Sequence, residues 1–312
     1  MAPLASQKAL SSCLDRCENA GDGKLPPCED VMELLRLCRD GRVRMSEQVA
    51  KHGKSLIQNS KRNRQLSEEE NWLVHEQVCY ALLDTGDIDE AKEIVEKLSL
   101  RFPKSLRVFL LQGALCECCE DYGKAQEVYE RILQENEAHQ GAMKRQCCVA
   151  KAQGDTEKAI GMLKKYLDVF MTDVEAWEEL ASLYLSMQMT KQAAFCYEEA
   201  ILIQPQNPTN HLKYADLLYV LSNASTLHLL HQAIGYYSVV LDLTNGTSVH
   251  AKYGVLSCCD AIKSQGRGAS AKLTEDEEKL LSKVSRELTT SYEERSPQLA
   301  VHLKATGITT TT

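Results

Sequence analysis

Ala91, Ala125, Ala159 and Ala193 stand at equal intervals along the chain, and the segments around them repeat as well. The four strings are DIDEAKEIVEKL, DYGKAQEVYERIL, DTEKAIGMLKKYL and MTKQAAFCYEEAIL. In each, a small residue is followed by an apolar one three or four positions on, and by another at the same step again. That spacing is one stripe of an amphipathic helix. A second helical run precedes each string: WLVHEQVCYALLDTG, RVFLLQGALCECCED, AMKRQCCVAKAQGD and VEAWEELASLYLSMQ. Gly86 and Gly154 fall in the short turn between the two runs, where a left-handed C-cap suits glycine best. Pro103 and Pro205 follow the second run of their units and stop it. The repeating unit is therefore a helix–turn–helix with a period of about 34 residues. One such hairpin cannot bury its apolar face alone, so its neighbours must stack on it.

The pattern resembles the tetratricopeptide repeat (TPR). Residues 72–205 hold four units in phase, 72–105, 106–139, 140–173 and 174–207. The fourth carries the most signature residues: Trp177, Leu180, Ala181, Tyr184, Ala193, Tyr197, Ala200 and Pro205. The second supplies Gly113, Tyr122, Ala125 and Tyr129, the first Gly86, Ala91 and Pro103, and the third Gly154 and Ala159. The resemblance implies an all-α TPR α-solenoid, a right-handed superhelix of hairpins with helical caps at both ends. Composition agrees, because 6% aromatics, 7 prolines and 16 glycines are too few for an all-β chain with its many turns. Small residues let the helices approach closely, so leucine at Ala193 is expected to cost about 1–3 kcal/mol by overpacking. Trp177 is expected to fill space between helices, with truncation costing about 3–5 kcal/mol where it is buried.

Outside the four units the reading is coarser. Residues 1–27 are expected as a disordered tail, and 28–71 as capping helices built on EDVMELLRLCRD and SEQVAKHGKSLIQNS. Residues 206–263 hold a degenerate fifth unit, HLKYADLLYVL then HQAIGYYSVVLDL, followed by an extra helix, SVHAKYGVLSCCDAIKS. The constant step would put the next alanine where Leu227 stands, but it comes later, at Ala233, which places an insertion in STLHLLH. A flexible linker is expected over 264–273, a closing helix over 274–304 with Thr274 as N-cap, and a disordered tail over 305–312.

The net charge of −8 argues against nucleic acid as a partner, since phosphate neutralisation drives such binding. Residues 39–64 are locally basic, with Arg39, Arg42, Arg44, Lys51, Lys54, Lys61, Arg62 and Arg64. Interleaved acids favour a solvated helix face over contact with lipid headgroups or an acidic partner. The 13 cysteines are odd in number and include the neighbours Cys118-Cys119, Cys147-Cys148 and Cys258-Cys259, which does not describe a disulfide framework. They read as reduced, mostly buried small side chains. Cys116-Glu-Cys-Cys119 and His228-x-x-His231 have metal-like spacing but lack a completed ligand set, so no metal or other cofactor is expected. No run of apolar residues is long enough to span a bilayer, and the first residues lack the apolar core of a signal peptide. The sequons Asn223-Ala-Ser225 and Asn245-Gly-Thr247 read as chance. No phosphate loop, nucleophile elbow or dinucleotide fingerprint occurs, and an enzyme is not expected.

In stacked TPR hairpins the first helices line a concave groove. By that analogy the groove candidates are Glu76, Tyr80, Leu110, Ala114, Lys144, Lys151, Glu178 and Ser182. Glu76 and Tyr80 are the wrong chemistry for the Lys/Asn clamp with which some TPR proteins hold a carboxylate tail. Longer strings carry a more specific resemblance: SEQVAKHGKSLI, WLVHEQ, LRFPKSLRV, YGKAQEVYERILQENEAH, AKAQGDTEKAIGMLKKYLDVFMTDVEAWEELASLY and KQAAFCYEEAILIQPQNPTNHLKYADLLY. They include residues the generic repeat does not require, such as RFPKS and DVFMTDVEAW. Over residues 34–245 the chain is similar to the family of second subunits of the endoplasmic reticulum membrane protein complex, a multi-subunit insertase. That resemblance implies a non-catalytic scaffold on the cytosolic face of the endoplasmic reticulum membrane. It would hold the cytosolic segments of membrane subunits and a second soluble subunit, touching the membrane only through them, in support of inserting tail-anchored and multi-spanning proteins. The alternative is another TPR adaptor in protein traffic or organelle import.

Overall fold

The computed structural model describes residues 4–18, 25–59, 66–223, 225–265, 272–296 and 298. These form helices and connections, with no strand among the described residues. The helices are α1 (Leu4–Glu18), α2 (Cys28–Asp40), α3 (Ser46–Gln58), α4 (Glu68–Thr85), α5 (Ile88–Arg101), α6 (Leu106–Cys118), α7 (Tyr122–Glu135) and α8 (Gln140–Ala152). They continue with α9 (Thr156–Val169), α10 (Val174–Ser186), α11 (Thr190–Ile203), α12 (Pro208–Leu221), α13 (His228–Leu243), α14 (Val249–Gln265) and α15 (Glu275–Arg295). Two compact units result, Met1–Ala159 and Ile160–Thr312.

The repeat step governs the turn chemistry as well as the apolar stripe. Positions 86, 120, 154 and 188 all take positive φ, with values of 84°, 58°, 76° and 58°. Glycine occupies the first and third of these, as expected, but Glu120 and Gln188 hold the left-handed conformation without it. The next residue begins the second helix of each hairpin. Asp121 and Asp155 cap it by accepting from Lys124 N and Lys158 N, whereas Met189 offers no side-chain acceptor. Caps of the first helices recur too: His139, Asp173 and Asn207 each accept a backbone N–H from α8, α10 and α12 respectively. The four phase-setting alanines and Ala233 are fully buried, and Val95, Tyr129, Leu163, Tyr197 and Tyr237, one helical turn beyond them, are buried with them.

In the first unit, α1 corrects the expectation of a disordered tail over 1–27. Its Cys13 and Cys17 are buried in the same apolar cluster as Leu34, Leu35 and Cys38 of α2, and Arg16 pairs with Asp30 at 2.9 Å. The apolar i, i+4 pair escaped notice because cysteine was read without its helical phase. Residues 19–24 and 60–65, including Lys61, Arg62 and Arg64, lie outside the described residues. The capping helices α2 and α3 fall where expected, but α4 starts one turn earlier than Trp72, because Ser67 caps it by accepting from Glu70 N. The local basic stretch is drawn into α4 and α5: Arg39 and Arg36 hold Glu70, Arg44 holds Asp84, and Lys54 reaches both Asp87 and Glu90 at 3.0 Å. Gly113 lies so close to Tyr129 that a β-carbon there would sit 2.3 Å from the ring, which explains the glycine at this place in α6.

In the second unit, the fifth hairpin is α12 with α13, and the insertion divides between α12, the connection and the first turn of α13. The helix read as an extra one, α14, packs with α15, so the two make a further hairpin. Tyr237 of α13 lies under Gly254 of α14, where a β-carbon would come within 2.4 Å of the ring. Lys252 pairs with Glu287 at 2.8 Å. Thr274 is the N-cap expected, in a full capping box with Glu277. α14 continues to Gln265, past the expected start of the linker; 266–271 and the expected tail at 305–312 lie outside the described residues, and α15 is described only to Arg295.

Candidate protein-binding site

The groove candidates of the first unit do not form one kind of surface. Glu76 on α4 is gripped by two guanidinium nitrogens of Arg107 on α6, with Nε at 3.1 Å. Tyr80, one turn on, is half-buried, and burial pushes its phenol up to about 12, with Glu76 adding to the shift. Leu110 is half-buried against α8, where a β-carbon on Gly141 would touch its Cδ1 at 3.4 Å. Ala114 is a correction: it is buried in the core cluster with Val108 and Leu111 and offers no groove surface. Lys144 is half-buried and Lys151 exposed.

The residue that organises this region is Arg145, which the sequence reading passed over for its neighbour. Its Nη1 donates to Glu117 Oε2 at 3.2 Å. Glu117 also accepts from the hydroxyl of the fully buried Tyr129. Burial opposes the charge on Arg145, but the Glu117 carboxylate and the nearby phenols outweigh it and hold the guanidinium charged. Lys144 and Arg145 are alike in type, yet one residue is about 100° of helical rotation. That is enough to exchange an inward side chain for a lateral one, and only packing resolves it.

Next to this network lies a cleft of about 500 Å³ between α4, α5 and α6. Trp72, Phe102, Val108 and Leu111 make its apolar floor, with the Trp72 and Phe102 rings edge to face at 5.5 Å. On its charged rim Glu76 is paired with Arg107 and Glu68 with Arg101 at 2.8 Å, while Glu69 adds a further carboxylate.

The second unit has a cleft of different character, about 620 Å³, between α9, α10 and α11. Trp177 is half-buried rather than a core filler, so truncation at this site costs less than the full burial figure. Its Nε1 donates to Met171 O at 2.9 Å, and its ring meets Phe195 edge to face at 6.1 Å. Phe195 and Met171 are 54% and 64% exposed, high values for side chains of this size. Cys196 lines the same cleft, and burial pushes its thiol up to about 12, which leaves it unreactive at neutral pH. Leu180 and Tyr184 complete the wall, whereas Glu178 and Ser182, off that phase, do not line it. Ala181, Ala200 and Tyr197 are buried in the hairpin, as repeat packing requires.

His231 Nδ1 is 2.8 Å from Glu277 Oε1, tying α13 to α15. Cys118, Cys119 and Cys148 are exposed and Cys116 partly so. No group of three or more His, Cys, Asp or Glu side chains suited to a metal occurs among the described residues. No described helix is long and apolar enough to cross a membrane.

Compared with known proteins, the chain is 34% identical to ER membrane protein complex subunit 2-B of Xenopus laevis over 267 residues, covering 85% of this chain and 86% of that one. The chain belongs to the ER membrane protein complex subunit 2 family. Residues 106–229 match the EMC2 TPR-like repeat domain. The family likeness also includes TPR repeat protein oca3 of Schizosaccharomyces pombe, 31% identical over 72% of this chain and 76% of that one. Among solved structures, a thermophilic TPR protein of Thermus thermophilus aligns with a TM-score of 0.46 at 19% identity, covering 62% of this chain and 100% of that one. For the subunit 2 family, similarity over 85% of the chain goes well past the stretch 34–245 that carries the shared strings.

Proposed function

We propose that this chain is a non-catalytic TPR scaffold subunit of the endoplasmic reticulum membrane protein complex. It works on the cytosolic face of the membrane, holding the cytosolic segments of membrane subunits and a second soluble subunit, and so supports insertion of tail-anchored and multi-spanning proteins. The observation that carries this reading is the 34% identity to a subunit of that complex across most of both chains. The site chemistry supports it. Both clefts are apolar and walled by helices, as protein-binding surfaces of repeat proteins are. The half-buried charge network of Glu117 with Arg145 and Tyr129 joins α6, α7 and α8.

Pull-down of the tagged full chain from a mild-detergent membrane extract, with its partners identified and quantified, tests the reading. Stoichiometric recovery of multi-spanning endoplasmic reticulum proteins is expected. Recovery of soluble traffic factors alone would replace the scaffold with a different TPR adaptor.

A further inference from the structure

The cleft between α9, α10 and α11 has features that the hairpin does not need for its own stability. Core packing of this repeat is complete in Ala193, Tyr197 and Ala200, all buried. Phe195, on the opposite side of α11, contributes nothing to that core, yet it is aromatic and 54% exposed. Met171, 64% exposed, lines the same cleft, as does the Trp177 ring that Phe195 meets. Large apolar groups left in water around a concave surface mark a place where another molecule removes them from it.

The rim says which molecule. Its charged residues are Lys164, Lys191 and Asp168. Neither lysine is in an ion pair among the described residues, unlike the rim arginines of the first unit's cleft, which are held by Glu68 and Glu76. The chain as a whole carries −8, so an unpaired cationic edge on an apolar cleft runs against its general charge. Such an edge favours a ligand that brings carboxylates beside its apolar groups. A concave wall takes a side-chain ridge, not a flat lipid surface. Building on the scaffold reading, we propose that this cleft docks an acidic amphipathic helix of a partner subunit, its bulky apolar side chains on Trp177, Phe195 and Met171 and its carboxylates at Lys164 and Lys191.

The full chain carrying Trp72→Phe leaves Trp177 as the one tryptophan, so its emission reports on the cleft directly. Three synthetic helical peptides of equal length, sharing one Leu/Phe stripe flanked by Glu, Gln or Lys, serve as probes. The Glu peptide is expected to shift Trp177 emission to the blue and to bind about tenfold tighter than the Lys peptide at low salt, the gap closing as salt rises. Phe195→Glu should abolish binding of all three, and Lys164→Glu with Lys191→Glu should reverse the order of Glu and Lys peptides. Thermal melts check that these surface variants fold. Equal or tighter binding of the Lys peptide to the unsubstituted chain would overturn the proposal, as would indifference to Phe195→Glu. So would Phe195-dependent self-association in sedimentation, or binding of anionic vesicles in place of the peptides. The pull-down separates the two levels of inference: failure of the unsubstituted chain to recover endoplasmic reticulum subunits sinks the scaffold reading. Normal recovery with no charge order among the peptides sinks the docking proposal alone.

Discussion

Gln188 and Met189 stand where the third hairpin has Gly154 and the capping Asp155, and both departures carry a cost. Gln188 holds φ at 58°, where a side chain crowds its own backbone, and Met189 leaves the start of α11 without a side-chain cap. Gln188→Gly is expected to stabilise the chain by about 0.5–1 kcal/mol after the greater freedom of glycine in the unfolded state is deducted. Met189→Asp should add about 1 kcal/mol by capping. Urea titration of each variant, with an unchanged slope, checks both. Gly113→Ala runs the other way. The new methyl must displace Tyr129, a fully buried ring already tied to Glu117, so a loss of about 1–3 kcal/mol is expected in the same titration.

At the scale of elements, one carboxylate both caps α15 and ties its first turn to α13. Glu277 accepts from Thr274 N through Oε2 at 2.8 Å and faces His231 Nδ1 through Oε1 at 2.8 Å. Glu277→Ala removes half of the capping box and the tie to α13 together. A destabilisation of about 1–2 kcal/mol is expected, with faster amide hydrogen exchange confined to the first turn of α15 and to α13. Loss of protection spread evenly over α12–α15 would mean that the last hairpin is held by its apolar face alone. The repeats themselves were legible as elements because each boundary recurs at a fixed step. The last hairpin was not, because α14 and α15 are separated by residues with no recurring turn signal, and contacts such as Lys252 with Glu287 and Tyr253 with Tyr292 join them only in the fold.

For the whole molecule, the cysteines give a test that spans both units. Eight of the 13 are buried, and burial pushes Cys79, Cys196, Cys258 and Cys259 up to about 12. An ordinary thiol titrates at about 8.5, so the folded chain holds these protons more tightly than the unfolded chain. Their contribution to stability is complete below the unfolded value and is lost as pH rises from there toward the folded value. The melting temperature is therefore expected to fall progressively above about pH 8.5, with reductant making no difference. A thiol reagent at neutral pH should modify Cys118, Cys119 and Cys148 at once and the buried eight only on unfolding. Rapid modification of Cys258 or Cys259 would show that the second unit is looser than its packing implies.

Periodicity made the repeat architecture readable from residues alone. A hairpin that must bury the same face in every repeat has to place small, apolar and turn-forming residues at the same steps, and Ala91, Ala125, Ala159 and Ala193 record that demand directly. The caps at Gly86, Gly154 and Thr274 were readable for a similar reason, since few residues satisfy those backbone positions. What only tertiary structure decided was the direction of side chains whose type permits several roles. Arg145 rather than Lys144 meets Glu117, Ala114 goes to the core, the basic residues of α2, α3 and the connection between them close on α4 and the start of α5, and Phe195 is left in water beside Trp177. These outcomes depend on about 100° of helical phase per residue and on which neighbour arrives opposite, and local sequence carries neither.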